Sequence, residues 1–236
     1  MRRVGHKGAG GNTPESFDTA LEHGVDMIEF DVLPEVYDDP RGSRLVLSHD
    51  YTNDVTKAPS LEEGLDHLMD PRFAAIDLNV DLKLPGYEDR VLTALAERVL
   101  LPRTLISTMY MESLERLREL DPAVRIGWSV PKASKDYTAS RLTKLPAAAV
   151  LEVGRRVLPR RAAQAIEAGR CDAIMCFWPL VTPRLVRFVH AAGGELYAWT
   201  VDDAPRMAAL HRMGVTGVIS NDPRLFAQVM SQTAAL

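Results

Sequence analysis

The fold is decided by two neighbouring runs of sequence, Met27-Ile28-Glu29-Phe30-Asp31-Val32-Leu33 and Leu45-Val46-Leu47-Ser48-His49. Both are short and largely apolar, which is typical of strands. Only eleven residues, Pro34–Arg44, separate them, and this segment is rich in Asp, Pro and Gly. A crossover between parallel strands needs a dozen or more residues and usually contains a helix. The two runs therefore predict an antiparallel hairpin whose tip lies near Pro40 and which returns His49 to the level of the first run.

Outward from this pair, strand-like runs alternate with amphipathic segments of helical periodicity along the whole chain. The strand candidates are Arg3–His6, Met27–Leu33, Leu45–His49, Ala75–Lys83, Thr104–Thr108, Val124–Val130, Ala173–Phe177, Glu195–Val201 and Gly217–Ser220. The helix candidates are Pro14–His23, Ser60–Met69, Asp89–Val99, Met111–Leu120, Leu158–Ala168, Thr182–Ala192 and Ala204–Met213. Repeated strand–helix units predict an α/β protein with a parallel sheet.

Eight strands remain once the hairpin strand Leu45–His49 is set aside. This number predicts a (β/α)8 TIM barrel with a β-hairpin extension after strand 2, and chemistry at the carboxyl ends of its strands. No linker or change in composition interrupts the pattern, so we expect residues 1–236 to form a single barrel domain.

The composition argues against several classes of protein. The 236 residues carry 28 Lys and Arg against 32 Asp and Glu, a net charge of −4 without a long basic tract, which argues against nucleic acid as a partner. No apolar run approaches the ~18 residues of a membrane-spanning helix. The cysteines Cys171 and Cys176 have neither zinc nor redox spacing. Nothing resembles a signal peptide, so we expect a cytoplasmic protein.

Three carboxylates are candidates for a metal site. Glu29 and Asp31 are two residues apart on one strand and therefore project from the same face, and Asp81 lies near the end of another strand. Converging carboxylates repel one another unless a cation or protons neutralise them. Oxygen ligands suit Mg²⁺ or Ca²⁺. The alternative is that Lys7 or Lys83 alone neutralises these carboxylates.

Two histidines at strand ends, His6 and His49, are candidates for acid–base catalysis. One imidazole can remove a proton from a nucleophile while the other protonates the leaving group. Lys7 and Lys83 add positive charge for an anionic group in the same space. Together with a metal, these residues favour phosphodiester cleavage over acyl transfer, because the chain contains no Gly-x-Ser-x-Gly motif.

The order of these motifs resembles the glycerophosphodiester phosphodiesterase family. The matching stretches are His6-Lys7-Gly8-Ala9, Pro14-Glu15-Ser16, Ile28-Glu29-Phe30-Asp31-Val32, His49-Asp50, Asp81-Leu82-Lys83, Trp199-Thr200-Val201-Asp202 and Gly217-Val218-Ile219-Ser220-Asn221-Asp222-Pro223. The resemblance implies a (β/α)8 barrel that hydrolyses deacylated phospholipids, a small-molecule glycerophosphodiester substrate, to glycerol 3-phosphate and an alcohol with the help of a divalent cation.

The resemblance also implies roles for individual residues. By position, His6 and His49 match the acid–base pair, and Glu29, Asp31 and Asp81 match the metal ligands. In the family, a hydroxyl of the glycerol is thought to attack phosphorus, and water then opens the cyclic intermediate.

Four residues depart from the family pattern: Lys7 stands where Arg is usual, Ser16 and Asp202 where Asn is usual, and Asp81 where Glu is usual. The Asp-Leu-Lys at Asp81 is similar to the sphingomyelinase D-type phospholipases of spider venoms. Two alternatives therefore stay open. One is a phospholipase D-like enzyme that cleaves lysophospholipids to a cyclic phosphate, and the other is a barrel that binds phosphate-containing ligands without turnover.

Several further residues have weaker assignments. Trp199 is a candidate floor for the glycerol pocket or a core aromatic residue, and Glu15 is a candidate substrate-site residue or a helix N-terminal carboxylate. Asp202 and Asp203 are interpreted as loop and capping residues. The alcohol of the substrate, the choice between Mg²⁺ and Ca²⁺ and the oligomeric state stay open.

Overall fold

Eight parallel strands close into a barrel in this protein, whose structure, a computed structural model, describes residues 1–131 and 144–233. The strands of this part are β1 (Arg2–His6), β2 (Met27–Pro34), β3 (Leu45–Val46), β4 (Asp77–Leu82), β5 (Thr104–Thr108), β6 (Arg125–Val130), β7 (Ala173–Phe177), β8 (Glu195–Trp199) and β9 (Gly217–Ser220). Their order is β1-β9-β8-β7-β6-β5-β4-β2-β3, and pairing of β1 with β2 completes the ring. The predicted (β/α)8 barrel is confirmed.

The hairpin extension is also confirmed, but its second strand is shorter than predicted. β3 pairs antiparallel with the end of β2 through Leu33↔Val46 and Pro34↔Leu45. The chain leaves this ladder at Leu47, whose backbone N–H donates to Pro59 O at 2.8 Å. His49 therefore follows β3 in a loop rather than ending a strand.

Helices follow most strands and cover the outside of the barrel. They are α1 (Lys7–Gly10), α2 (Pro14–Glu22), α3 (Leu61–Leu68), α4 (Glu88–Glu97), α5 (Met111–Leu120), α6 (Lys144–Glu167), α7 (Pro183–Ala191), α8 (Ala204–Met213) and α9 (Leu225–Thr233). The predicted helices agree to within two residues at each end, apart from α6. None of the described helices is long and apolar enough to cross a lipid bilayer.

Helix α6 begins at Lys144, well before the predicted start at Leu158. Proline is favoured in the first turn of a helix, and Pro159 therefore indicates a start at this point. In the structure Pro159 lies inside the helix. The exposed side chains of Val150 and Val153 on the preceding turns give no amphipathic signal that would have extended the prediction.

The strands separate two apolar cores. Residues of β2 alternate, so that Ile28, Phe30 and Val32 pack in the large core beneath the helices. The intervening Met27 belongs to a smaller cluster inside the barrel. The inner cluster consists of Val4, Met27, Leu105, Ala173, Met175, Tyr197 and Ile219, with Trp199 packed against it. This inner core fills the barrel below the polar strand ends, as in packed barrels generally.

Candidate active site

The inward-facing residues change from apolar to polar toward the carboxyl ends of the strands. Parallel pairing sets His6 of β1 beside Glu29 of β2, and Asp31 of β2 beside Asp81 of β4. Because side chains alternate along a strand, Glu29 and Asp31 project to the same side, as do Asn79 and Asp81. Strand register alone thus gathers three carboxylates and an imidazole at one end of the barrel.

These residues line a cleft of about 100 Å³ at the mouth of the barrel. Its lining consists of His6, Glu29, His49, Asn79, Asp81, Lys83, Ser107, Met109, Ser129, Met175, Trp199, Thr200 and Ile219. Six residues predicted for the site are among them: His6, His49, Glu29, Asp81, Lys83 and Trp199. Asp31, which is fully buried, contacts Lys83 from below the surface of the cleft.

The ammonium group of Lys83 lies between two of the carboxylates. Its Nζ is 2.6 Å from Asp31 Oδ1 and 2.7 Å from Asp81 Oδ2. The other oxygen of Asp81 accepts a hydrogen bond of 2.6 Å from Ser107 Oγ. Asp31 Oδ2, in contrast, is buried without a hydrogen-bond partner among the described residues.

Burial and mutual charge shift the protonation of this cluster. Burial and the negative charge of Asp31 raise the pKa of Glu29 well above its ordinary value. Burial alone would raise the pKa of Asp31 too, but the positive charge of Lys83 holds it below its ordinary value. Burial opposes the charge of Lys83, yet Asp31 and Asp81 raise its pKa. The cluster therefore carries more negative charge than Lys83 neutralises whenever Glu29 is ionised.

His6 is fixed by a hydrogen bond at one ring nitrogen, and its other nitrogen lies near Glu29. Its Nδ1 is 2.7 Å from Asn221 Oδ1, and its Nε2 is 3.8 Å from Glu29 Oε2. Burial lowers the pKa of His6 below its ordinary value, although the charge of Asp31 opposes this shift. The imidazole is consequently neutral near pH 7 and able to accept a proton.

His49 lines the same cleft from the loop after β3. Its Nδ1 is 3.1 Å from Asp50 Oδ2, and about half of its side chain, 52%, is exposed. Asp50 is fixed in turn by the backbone N–H of Thr52, which donates to its Oδ1 at 2.9 Å. The two predicted acid–base residues therefore share one cleft, with His6 buried and His49 open to solvent.

The segment between β1 and α2, which includes the irregular single turn α1, positions Glu29. The backbone N–H of Lys7 donates to Glu29 Oε2 at 2.9 Å, and Ser16 Oγ donates to Lys7 O at 2.8 Å. Ser16 also completes a capping box with Thr13 at the start of α2. Gly8 packs against Ser16 with φ of +69°, where a Cβ would lie 2.6 Å from the Ser16 backbone. Ser16, one of the departures from the family pattern, thus has a structural role.

Two predicted site residues lie elsewhere. Glu15 is exposed at the first turn of α2 and does not line the cleft, and its role at the substrate site stays a prediction. A backbone hydrogen bond at the helix start lowers the pKa of Glu15, as expected for an N-terminal carboxylate. The side chain of Lys7 is not part of the cleft lining either, and its backbone N–H is what reaches Glu29.

Trp199 contributes apolar surface to the cleft. Its Nε1–H donates to Met175 O at 2.8 Å, and its ring lies 5.5 Å from the ring of Phe177. Met109 and Ile219 lie on the same cleft surface. The lining of the cleft therefore combines charged and apolar side chains.

Several polar residues in or beside the cleft were not predicted as site residues. Asn79 and Ser107 are neutral residues on inward strand positions, joined by a hydrogen bond of 2.9 Å. Asn79 lies two residues before Asp81, so strand periodicity alone could have found it. Asn221 and Asp202 meet only in the folded protein, because they end different strands. Asp202 is not merely a loop residue, as interpreted, whereas Asp203 does cap α8 by accepting from Arg206 N.

Comparison with known proteins adds an independent observation. The model of the glycerophosphoryl diester phosphodiesterase family matches residues 77–225, which is more than half of the chain. A glycerophosphodiester phosphodiesterase of Caldanaerobacter subterraneus subsp. tengcongensis is 25% identical over 260 aligned residues, covering 93% of each chain. A probable glycerophosphodiester phosphodiesterase 2 of Mycobacterium tuberculosis is 29% identical over 173 residues, covering 73% of this chain and 60% of the relative.

Solved structures share the fold. A putative glycerophosphoryl diester phosphodiesterase from Silicibacter pomeroyi has a TM-score of 0.76 at 20% identity, covering 99% of this chain and 94% of its own. An Oleispira antarctica phosphodiesterase in complex with the product sn-glycerol-3-phosphate has a TM-score of 0.70 at 19% identity, with coverage of 98% and 97%. The family match confirms the predicted class of enzyme, and this chain belongs to the glycerophosphoryl diester phosphodiesterase family.

Proposed function

We propose that this protein hydrolyses glycerophosphodiesters to glycerol 3-phosphate and an alcohol, with His6 and His49 as the acid–base pair. The observation that carries the proposal is the joint presence of both imidazoles, Lys83 and a carboxylate cluster in one cleft. Two imidazoles in one site can divide the removal and the donation of a proton, which phosphodiester cleavage requires.

His6 is the better placed base of the two. Its imidazole is buried with a lowered pKa, and its Nε2 faces the cleft side where Glu29 lies. In the proposed reaction Nε2 takes the proton of the attacking hydroxyl as the new P–O bond forms. His49 gives a proton to the oxygen of the departing alcohol as the old P–O bond breaks. His49 then takes a proton from water as the water oxygen attacks phosphorus of the cyclic intermediate. His6 gives its proton back to the glycerol oxygen as the ring P–O bond breaks, so both histidines regain their starting protonation.

A divalent cation, Mg²⁺ or Ca²⁺, is proposed as the cofactor. Glu29, Asp31 and Asp81 would hold it, since they offer only oxygen atoms, the donors that these hard cations prefer. The buried Asp31 Oδ2 without a hydrogen-bond partner and the excess negative charge of the cluster support this assignment. When bound, such a cation would stabilise negative charge that develops on the phosphoryl oxygens.

In the proposed site, a cation can bind only when the ammonium group of Lys83 leaves its position between Asp31 and Asp81. Within residues 1–131 and 144–233, no three His, Cys, Asp or Glu side chains are arranged to hold a metal ion as they stand. Lys83 lies instead between Asp31 and Asp81. Its long side chain can swing toward the cleft, where its ammonium group would pair with the phosphate of the substrate.

The relative with a bound product supports the choice of substrate. The Oleispira antarctica phosphodiesterase shares this fold over nearly its whole length and holds sn-glycerol-3-phosphate. In the present chain the small cleft and its apolar surface at Trp199 and Met175 match a short polyol phosphate with a carbon skeleton on one side. We therefore infer that glycerol 3-phosphate is the part of the substrate that this cleft recognises.

Phosphorus NMR of the purified protein tests the proposal. Glycerophosphocholine and a lysophosphatidylcholine are each incubated with Mg²⁺, with Ca²⁺ or with a chelator. We expect glycerol 3-phosphate from the first substrate in the presence of a cation only. A cyclic phosphate from the second substrate, with the first unchanged, would instead support the phospholipase D-like alternative. Absence of product in every sample would support the ligand-binding barrel.

A further inference from the structure

Asp202 follows β8 and lies beside the cleft but outside its lining. Its carboxylate accepts hydrogen bonds from Ser220, the last residue of β9, and from Asn221. The backbone N–H of Asn221 donates to Asp202 Oδ1 at 2.8 Å, and Asn221 Nδ2 donates to Asp202 Oδ2 at 2.8 Å. Ser220 Oγ donates to Oδ1 as well, at 2.8 Å. Three hydrogen bonds therefore hold this carboxylate against Asn221 in one orientation.

This contact fixes which end of the Asn221 amide faces His6. An ionised carboxylate only accepts hydrogen bonds, so the NH₂ group of Asn221 must face Asp202. The opposite end of the amide, Oδ1, then faces His6 Nδ1 at 2.7 Å. Because a carbonyl oxygen only accepts, Nδ1 must carry the hydrogen of the neutral imidazole.

The remaining ring nitrogen is thereby left unprotonated. His6 Nε2 faces the cleft and lies 3.8 Å from Glu29 Oε2. A neutral imidazole carries one hydrogen, and its other nitrogen is the one that can accept a proton. Without a fixed partner at Nδ1, the hydrogen could equally occupy Nε2, and the imidazole could not act as a base toward the cleft.

We propose that Asp202 is a positioning residue that sets the tautomer of His6 through Asn221. The inference rests on the proposed function, because the unprotonated Nε2 matters only if His6 transfers protons there. Loss of a partner that orients a functional histidine typically reduces activity by about 10- to 100-fold. We expect a loss of this size in kcat for Asp202→Asn, with KM little changed, because Asp202 does not line the cleft.

The test compares the His6 tautomer and turnover in four proteins: wild type, D202N, D203N and the double variant D202N/N221D. In D202N the oxygen of the introduced amide still accepts from Asn221 N–H and Ser220 Oγ, so its NH₂ group faces the Asn221 side chain and favours the reversed orientation of that amide, with NH₂ toward His6 Nδ1. The double variant restores the selection, since a carboxylate at position 221 accepts from both His6 and the amide introduced at position 202. D203N is the matched control, because it removes the neighbouring charge while the introduced amide can still cap α8.

The tautomer is measured by ¹⁵N–¹H correlation spectra of the histidine rings at alkaline pH, with the His6 signals identified by their absence from a His6→Gln variant. We expect hydrogen on Nδ1 in the wild type, in D203N and in D202N/N221D, and a shift toward the Nε2–H tautomer in D202N. Turnover should fall in D202N and recover in the double variant.

An unchanged tautomer in D202N would overturn the inference, and so would the Nε2–H form in the wild type. A shift of the same size in D203N would also overturn it. These spectra need no substrate, whereas the proposed function fails if the wild type does not turn over glycerophosphodiesters. The two failures are therefore distinguished by separate measurements.

Discussion

Lys83 forms ion pairs with two carboxylates of the cleft, those of Asp31 and Asp81. Its ammonium group lies within 2.7 Å of carboxylate oxygens on two strands. Removal of one partner from a buried ion pair leaves an uncompensated charge, which is costly. Asp31 therefore stabilises the buried charge of Lys83, and it is also a proposed ligand of the cation.

We predict that Asp31→Asn abolishes detectable binding of Mg²⁺ and reduces turnover of glycerophosphocholine by at least about 100-fold. The isosteric amide keeps the shape of the side chain but removes the charge and one oxygen donor. Titration calorimetry with Mg²⁺ and the phosphorus NMR assay measure the two effects. Asp54→Asn, at an exposed cap outside the cleft, is the control. Unchanged Mg²⁺ binding in D31N would contradict the assignment of Asp31 as a ligand.

At the scale of elements, the segment from β1 to α2 carries the backbone amide that positions Glu29. This segment depends on Gly8, whose φ of +69° is unfavourable for residues with a Cβ. Its neighbour Ser16 leaves no space for a methyl group. Gly169 has the same φ of +69° but nothing within 4 Å of a Cβ built on it. Alanine substitution at each of the two glycines therefore distinguishes the cost of backbone strain from the cost of a steric clash.

We predict that Gly169→Ala reduces the free energy of unfolding by about 1 kcal/mol, the cost of the left-handed backbone alone. Gly8→Ala should cost clearly more, because the Ser16 backbone has to move, and it should also reduce turnover by displacing the Lys7 amide from Glu29. Urea denaturation and the NMR assay measure both variants. Equal destabilisation by the two substitutions would show that the contact between Gly8 and Ser16 is not tight.

The elements of the barrel could be predicted largely from local signals. Capping residues and apolar periodicity place most helix and strand ends, and the eleven-residue connection identifies the hairpin. The end of β3 could not be predicted, because the bond from Leu47 to Pro59 O that ends it is a tertiary contact. For the same reason Asp202 could not be recognised, since its partner Asn221 is brought to it only by the pairing of β8 with β9.

Charged residues of the site were easier to predict than neutral ones. A carboxylate or imidazole near a strand end is costly to bury, so Glu29 and His6 indicate a site by their presence alone. Ser107 and Asn79 are neutral and bond to each other, so they carry no such signal. Glu15 belongs to a stretch that matches the family, but the first turn of α2 exposes it outside the cleft lining, so its role at the substrate site stays a prediction.

At the scale of the whole molecule, an ion pair supports the closure of the barrel at the amino end of its strands. Arg3 of β1 and Asp26 just before β2 form three hydrogen bonds, one through the Arg3 backbone N–H. Burial would raise the pKa of Asp26, but its hydrogen bonds with Arg3 lower it below the ordinary value. About a third of each side chain is exposed, which weakens the pair through solvent screening.

We predict that Asp26→Asn reduces the free energy of unfolding by about 1 kcal/mol at pH 7. Since the native pKa of Asp26 is depressed, its stabilisation is present above the ordinary pKa and disappears as the pH falls through the native value. The difference between the wild type and D26N should therefore close in acid. Urea unfolding at a series of pH values measures it. A difference that stays constant down to pH ~3 would contradict the ion-pair account.

We propose that His6 and His49 act together in one cleft to cleave a glycerophosphodiester. Phosphorus NMR of wild-type, H6Q and H49Q proteins with glycerophosphocholine and Mg²⁺ measures this activity. His23, an exposed residue at the end of α2, provides the control variant H23Q. We expect glycerol 3-phosphate from the wild type and H23Q, and rates reduced by about 10²- to 10⁴-fold in H6Q and H49Q with unchanged circular dichroism. Turnover by H6Q or H49Q at the wild-type rate would contradict it.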